Sequence, residues 1–90
     1  MKAYYEITVS FRNKSLFATA PGSCRTMNKA KKVFDALTKA FDGYGYAVLC
    51  RFFDGKGEIV NLARARSKSR KEEYPLYDFF TRKEKKNKKS

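Results

Sequence analysis

The chain is short and strongly basic: its 90 residues include 21 Lys and Arg against 9 Asp and Glu, a formal net charge of +12. A chain of this length forms one domain at most and buries only roughly 60% of its unfolded surface, so we expect no large enzyme pocket. Hydrophobic residues make up 42% and aromatic residues 16% of the chain, more than a disordered basic protein carries. Its apolar runs fall far below the ~20 residues that span a bilayer, and the first residues lack a signal-peptide pattern. A folded cytoplasmic protein is therefore expected.

The excess charge is concentrated towards the C-terminus. Residues 1–63 contain ten basic and five acidic residues, a net +5, whereas residues 64–90 contain eleven basic and four acidic residues, a net +7. The last nine residues hold no side chain that a core would bury. We therefore expect a disordered Lys-rich tail over residues 82–90.

The first elements in chain order are two strands and a turn. Residues 3–11 alternate between two sides, one of them consistently apolar, as a half-buried strand requires. Residues 12–15 predict a turn, and residues 16–20 predict a shorter second strand that ends at residues 21–22, a Pro-Gly pair. Together the two strands predict a hairpin.

Between residues 26 and 42 the period of the apolar side chains changes to three and four residues, which predicts one amphipathic helix. Its apolar face contains Met27, Ala30, Val33, Phe34, Leu37 and Phe41. Ser23 or Thr26 could supply the oxygen that caps the N-terminus, and Gly43 is the residue expected just beyond the helix end.

Two further strands, over residues 44–53 and 58–66, complete a predicted globular domain of residues 1–66. Asp54-Gly55-Lys56-Gly57 forms the turn between them, because its glycines allow positive φ. The predicted fold is α+β with the order β-β-α-β-β, in which one helix covers one face of a four-stranded, mainly antiparallel sheet. Both faces of the third strand are largely apolar, so we expect the second face to meet the C-terminal segment, a second subunit or a ligand.

Residues 67–81 form a basic and aromatic extension that we expect to pack on this body. Pro75 suits a first helical position, so the aromatic part predicts a short C-terminal helix that packs Leu76, Tyr77 and Phe80 inwards. The alternative is a peptide that docks in a partner's groove through clustered aromatic side chains. The residues of that alternative are Tyr74, Leu76, Tyr77, Phe79 and Phe80.

The residue inventory argues against catalysis. The chain has no His, the commonest general acid or base near neutral pH, and the sequence gives no support for carboxylates that converge on a metal ion. Cys24 and Cys50 match neither a zinc site nor a redox pair by their spacing, and two reduced, partly buried thiols are favoured over a disulfide. We expect no enzyme, no metal site and no cofactor.

Residues 42–49 partly resemble the RNP1 strand of RNA-recognition-motif domains. Gly43, Tyr44 and Gly45 fit that pattern, and Tyr46 is aromatic where the pattern has Phe. The segment begins with an acidic instead of a basic residue, and the predicted order of elements differs from the family's β-α-β-β-α-β, so the chain is not placed in that family. Tyrosines beside glycines near the start of a strand can still offer stacking faces for unpaired bases. The alternative is a glycine that ends the helix, followed by a core strand.

The stretch from Arg64 to Lys71 is the most informative for function, because it keeps a line of positive charge over eight residues after the fourth strand. Such a line neutralises phosphates and releases counterions with little dependence on base sequence. Protection of a sheet edge by Lys and Arg is the alternative. We expect a small non-enzymatic protein that binds DNA or RNA by electrostatic capture. Its candidate contacts are Arg51, Arg64, Arg66, Lys68, Arg70, Lys71, Arg82, Lys83, Lys85 and Lys86, with Tyr44 and Tyr46 on the sheet.

A second hypothesis is a protein-interaction or inhibitor module that binds an acidic protein through the second sheet face and the aromatic residues 74–80. Charge steers association in both cases, so net charge does not separate them. Binding to an anionic membrane through the Lys-rich tail is a weaker expectation, because no lipidation motif accompanies the tail. A homodimer through the second sheet face or an edge strand is left open.

Overall fold

The computed structural model describes residues 2–75, 77–81 and 83–84, and its first element is a β-hairpin. β1 (Tyr4–Phe11) and β2 (Lys14–Ala18) pair antiparallel. Only Arg12 and Asn13 lie between them, with φ of +52° and +70°, and a two-residue turn with positive φ at both positions matches the twist of the two strands. Because the turn is shorter than predicted, the second strand begins two residues earlier.

The predicted helix is present as α1 (Met27–Ala40). Thr26 is its N-cap, and the Thr26 hydroxyl accepts a hydrogen bond from the Lys29 N–H at 3.2 Å. The helix buries Ala30, Phe34 and Thr38. The buried Thr38 hydroxyl donates to the Phe34 carbonyl at 2.7 Å. This polar group in the core is therefore hydrogen-bonded.

The remaining strands of the main sheet are β3 (Tyr46–Phe53), β4 (Ile59–Ala65) and β5 (Lys71–Glu73). All pairs are antiparallel, in the order β2-β1-β3-β4-β5. The α+β class is confirmed, but the prediction of four strands is wrong, because this sheet has five among the described residues. The fifth strand, β5, consists of three charged residues that carry no strand signal of their own. It pairs with the otherwise open edge of β4, where Glu72 lies opposite Arg64.

A bulge in β4 decides which of its side chains face the helix. The register shifts at Leu62, which is the extra residue. Leu62, Ala63 and Ala65 are all buried, whereas Arg64 lies opposite Leu49 on the other face. Strict alternation would have placed Leu62 and Arg64 on the same face, and the bulge separates them.

The segment after β5 packs on the helix side of the sheet. Phe79 is fully buried, with its ring centroid 5.4 Å from that of Phe34 in an edge-on arrangement. Phe80 lies beside it, with its ring centroid 6.1 Å from that of Phe34 and the Lys31 and Lys71 ammonium groups each 5.5 Å away. These aromatic side chains extend the layer that α1 forms.

The predicted short C-terminal helix is not found among the described residues of this segment. β6 (Tyr77–Asp78) and β7 (Lys83–Glu84) form a separate two-stranded sheet instead. The Glu73 carboxylate accepts from the Phe80 N–H at 2.8 Å, and the Asp78 carboxylate accepts from the Thr81 N–H at 3.1 Å. These side chains satisfy backbone groups that a helix would have satisfied itself, so turns compete successfully with it. Apart from β7, the predicted tail over residues 82–90 lies outside the described residues.

Candidate functional site

The sheet face opposite α1 is the second face, which was expected to meet the C-terminal segment, a second subunit or a ligand. Its side chains on β1 and β3 are Tyr4, Glu6, Thr8, Ser10, Ala47, Leu49, Arg51 and Phe53, and all of them are only half-buried. The aromatic segment packs its Phe79 against the helix instead. The described residues therefore leave this face, which we call the open face, accessible to solvent.

One end of the open face is concave. The β1–β2 turn, the loop between α1 and β3, and the β4–β5 turn all meet at this end of the sheet, because neighbouring strands are antiparallel. A groove of about 940 Å³ lies between them. Its thirteen lining residues include four arginines, Arg12, Arg64, Arg66 and Arg70, and no carboxylate. We call this site the arginine groove.

Hydrogen bonds from backbone N–H groups fix the rim of the arginine groove. The Arg12 N–H donates to the Gly45 carbonyl at 2.7 Å, which joins the first turn to the loop before β3. The Asp42 carboxylate accepts from the Lys68 N–H at 3.0 Å, which joins the β4–β5 turn to the end of the helix. Gly45 has φ +94°, and a Cβ there would lie 2.9 Å from the Phe11 ring, so only glycine allows this approach. The rim is thus held without using the arginine side chains.

The four arginines differ in their partners. Arg64 Nη2 donates to Glu72 Oε1 at 3.0 Å, while Arg64 Nε is buried and has no hydrogen-bond partner among the described residues. Arg66 and Arg70 flank the β4–β5 turn, and both are exposed. Arg12 is exposed as well, with its guanidinium carbon 5.2 Å from the centroid of the Phe11 ring. Within the described part of the chain, no carboxylate forms an ion pair with Arg12, Arg66 or Arg70.

Several predicted contacts come together in this groove. Arg64, Arg66 and Arg70 line it, as does Tyr44, whose side chain is 94% exposed. Tyr46 also reaches the groove, but its ring packs against Phe11 and Phe41, with centroid distances of 4.7 and 5.5 Å. Of these two tyrosines, Tyr44 therefore has the ring that is accessible to a ligand. Tyr46 is partly buried, and its ring packs into the body of the protein.

Other predicted contacts lie elsewhere. Arg51 is on the open face outside the groove, where its Nε and Nη2 both donate to Glu6, the former at 3.2 Å. Lys71 lies on the helix side and pairs with Asp35, with a Nζ to Oδ1 distance of 3.1 Å. Lys68 is exposed in the β4–β5 turn. Arg82, Lys85 and Lys86 lie outside the described residues, and Lys83 is in β7.

Sequence reasoning named neither the apolar floor of the groove, Ala47 and Leu49, nor three of its polar residues, Ser10, Arg12 and Asn13. The alternation of β1 places Ser10 on its polar side, and the other two lie in a predicted turn, so each local signal was available. The sheet order was the missing information, because it brings the β1–β2 turn and the β4–β5 turn to the same end of the sheet, on either side of β3.

Three residues of the aromatic alternative have structural partners of their own. Phe79 is in the core, Phe80 is packed against it at 5.6 Å between ring centroids, and the Tyr74 N–H donates to the Leu62 carbonyl at 2.9 Å. Tyr77 is in β6, and Leu76 lies outside the described residues. In the free protein, Phe79 thus stabilises the fold.

The described residues contain no group of His, Cys, Asp and Glu that could hold a metal ion. Nor does any helix among them combine the length and apolar character needed to cross a membrane.

Cys24 and Cys50 are both buried free thiols. Burial raises the pKa of the Cys50 thiol far above its ordinary value, and the neighbouring Cys24 adds to the shift. Cys50 therefore stays protonated at neutral pH and is a poor nucleophile.

Comparisons with known proteins find no match: no protein-family model, no curated protein and no solved structure is significantly similar to the chain. Function is therefore inferred from the chemistry of the site itself.

Proposed function

We propose that the protein binds nucleic acid through the arginine groove and catalyses no reaction. The observation that carries this proposal is the convergence of four arginines, without a lining carboxylate, at the concave end of the open face. Because Arg12, Arg66 and Arg70 have no ion-pair partner among the described residues, their charges favour a ligand that carries several anionic groups. A phosphate backbone is such a ligand.

The composition of the groove favours a nucleotide chain over other polyanions. Guanidinium groups match the geometry of phosphate oxygens with two parallel hydrogen bonds. Ser10, Asn13 and Ser67 also line the groove and add neutral hydrogen-bonding groups, of the kind that position phosphates and sugars. Ala47 and Leu49 provide an apolar floor, which suits the faces and edges of sugars and bases.

Binding is expected to proceed in two stages. The net charge of +12 attracts any polyanion over a distance set by salt screening. The arginine groove then provides short-range contacts from a rim that is already held in place by hydrogen bonds from backbone N–H groups. The competing hypothesis, an acidic protein partner, shares the first stage. That hypothesis places its contacts on the second sheet face and on the aromatic residues 74–80. Phe79, one of those aromatic residues, is already buried in the core, so the groove favours nucleic acid.

The proposal is tested by binding of mixed-sequence single- and double-stranded DNA and RNA, measured by fluorescence anisotropy over about 50–300 mM salt. Each phosphate contact contributes roughly −0.7 for single strands and −0.9 for duplex DNA to the slope of log K against log salt. The double variant Arg66→Ala with Arg70→Ala removes two groove charges, so its slope is expected to be shallower by about 1.4 to 1.8.

The matched control is Lys32→Ala with Lys39→Ala, which removes two exposed charges from the outer face of α1. This variant has the same net charge as the groove variant and is expected to keep nearly the wild-type slope. Equal losses in the two variants would show that only net charge matters, and no binding by the wild type at the lowest salt would overturn the proposal.

A further inference from the structure

Tyr44 is the most exposed of the large hydrophobic side chains described, at 94%, and it lines the arginine groove. Its neighbours in the chain are Gly43 and Gly45, which have no side chains to cover the ring. Since the ring makes almost no contact with the body, Tyr44 adds little to the stability of the free protein. Its ring therefore offers both faces to a ligand.

The backbone on both sides of Tyr44 is anchored. The Gly45 carbonyl accepts from the Arg12 N–H at 2.7 Å, and the Gly43 carbonyl accepts from the Tyr46 N–H at 3.2 Å. The backbone that carries Tyr44 is therefore held in place, on the same rim as Arg12. An accessible aromatic side chain beside a cationic groove is the combination by which proteins bind single strands, since bases stack on the ring while the cations follow the phosphates.

The shape of the site argues against duplex recognition. Proteins that read a duplex through its major groove, which is about 12 Å wide, insert a protruding helix or a β-ribbon into it. Here the arginines line a concave surface. The outer face of α1 mixes lysines with acidic groups, among them Asp35, which pairs with Lys31 at 3.2 Å. In a duplex, moreover, every base already stacks on its neighbours, so the Tyr44 ring would find no free base face.

We infer that the arginine groove takes single-stranded nucleic acid, with one unpaired base stacked on Tyr44 and the adjoining phosphates held by Arg12, Arg66 and Arg70. This inference rests on the proposed function and narrows it to a class of ligand. Recognition by stacking is tolerant of base identity because every base has a π-face, so little sequence specificity is expected.

The test compares a mixed-sequence single strand of about 12 nucleotides, within the ~4–16 nucleotides of known single-strand sites, with a duplex of the same sequence at the same salt. The single strand is expected to bind at least about ten times more tightly. Tyr44→Leu is expected to weaken single-strand binding by about 5- to 160-fold. Because Tyr44 is so exposed, the same substitution should leave duplex affinity and the melting temperature unchanged.

Tyr44→Trp provides a direct signal of stacking, because the chain has no other Trp. This variant should keep its affinity, and its tryptophan emission should be quenched by the single strand but not by the duplex. The control is Phe17→Leu, an exposed aromatic residue on β2 whose ring contacts Phe41 on the helix side; it should bind single strands normally.

The outcomes separate this inference from the proposed function. Equal affinities for single strand and duplex, or full single-strand affinity in Tyr44→Leu, would overturn the inference while the proposed function stands. Absence of binding to both ligands would overturn both.

Discussion

Replacement of Phe79 by alanine should destabilise the whole domain, although Phe79 lies well beyond the body of residues 1–66 that the sequence predicts. Its side chain is fully buried, and its ring centroid lies 5.4 Å from that of Phe34 and 5.6 Å from that of Phe80. Truncation of a buried Phe to Ala costs about 3–5 kcal/mol, because the transfer free energy is lost and a cavity remains.

That loss is large for a chain of this size. At roughly 0.05–0.15 kcal/mol per residue, 90 residues have a free energy of unfolding of about 5–13 kcal/mol. One kcal/mol shifts the melting temperature of such a domain by about 4–8 °C, so Phe79→Ala should lower it by at least about 12 °C. Phe79→Leu leaves a smaller cavity and should lower it less.

The assay is thermal and urea unfolding followed by circular dichroism. Phe17→Ala is the control, because Phe17 is 41% exposed at the sheet edge and its truncation should cost clearly less. A shift of less than about 4 °C in Phe79→Ala would correspond to less than about 1 kcal/mol. That result would refute the assignment of Phe79 to the core and would favour the interpretation of residues 74–80 as a docking peptide.

Two further predictions concern single side chains. Arg12 has φ +52°, a region that costs non-glycine residues about 1–3 kcal/mol but that Asn tolerates. Arg12→Asn should therefore unfold at the same or a higher temperature yet bind nucleic acid more weakly, and a loss of both properties in the unfolding and anisotropy assays would contradict this. The pKa of Asp35 lies below its ordinary value of 3.8, because hydrogen bonds and charges from Lys71 and Lys31 together outweigh burial, the largest single influence, which raises it. A lowered folded-state pKa gives stability that is complete above the unfolded pKa and is lost as the pH falls through the folded pKa. Asp35→Asn should thus lose about 1 kcal/mol or less at neutral pH, since the carboxylate is 37% exposed and screened by solvent. The free energy of unfolding of Asp35→Asn, measured with urea at several pH values, should also fall less steeply than that of the wild type as the pH drops below about 4. An equally steep fall in both proteins would contradict the role of this carboxylate.

The elements that could be predicted are those whose signal is local. The helix over residues 27–40 follows from a period of three to four residues sustained over several turns, and its Thr26 cap follows from residue type. The predicted C-terminal helix also had a local signal at Pro75, but tertiary interactions outweighed it. Burial of Phe79 in the core and capping of turn backbone by Glu73 and Asp78 stabilise turns instead.

By itself, the sequence determined an α+β body with one amphipathic helix, a C-terminal third rich in positive charge, and Tyr44, Arg64 and Arg66 as candidate contacts. Only the tertiary structure decided that these residues share one groove with Arg12. Strand order does not follow from local periodicity, since β1 pairs with β3 although β2, the helix and their loops separate the two strands in the chain. The face of Arg64 depends on the bulge at Leu62: side chains alternate with a period of two, so one extra residue reverses the face of everything that follows it.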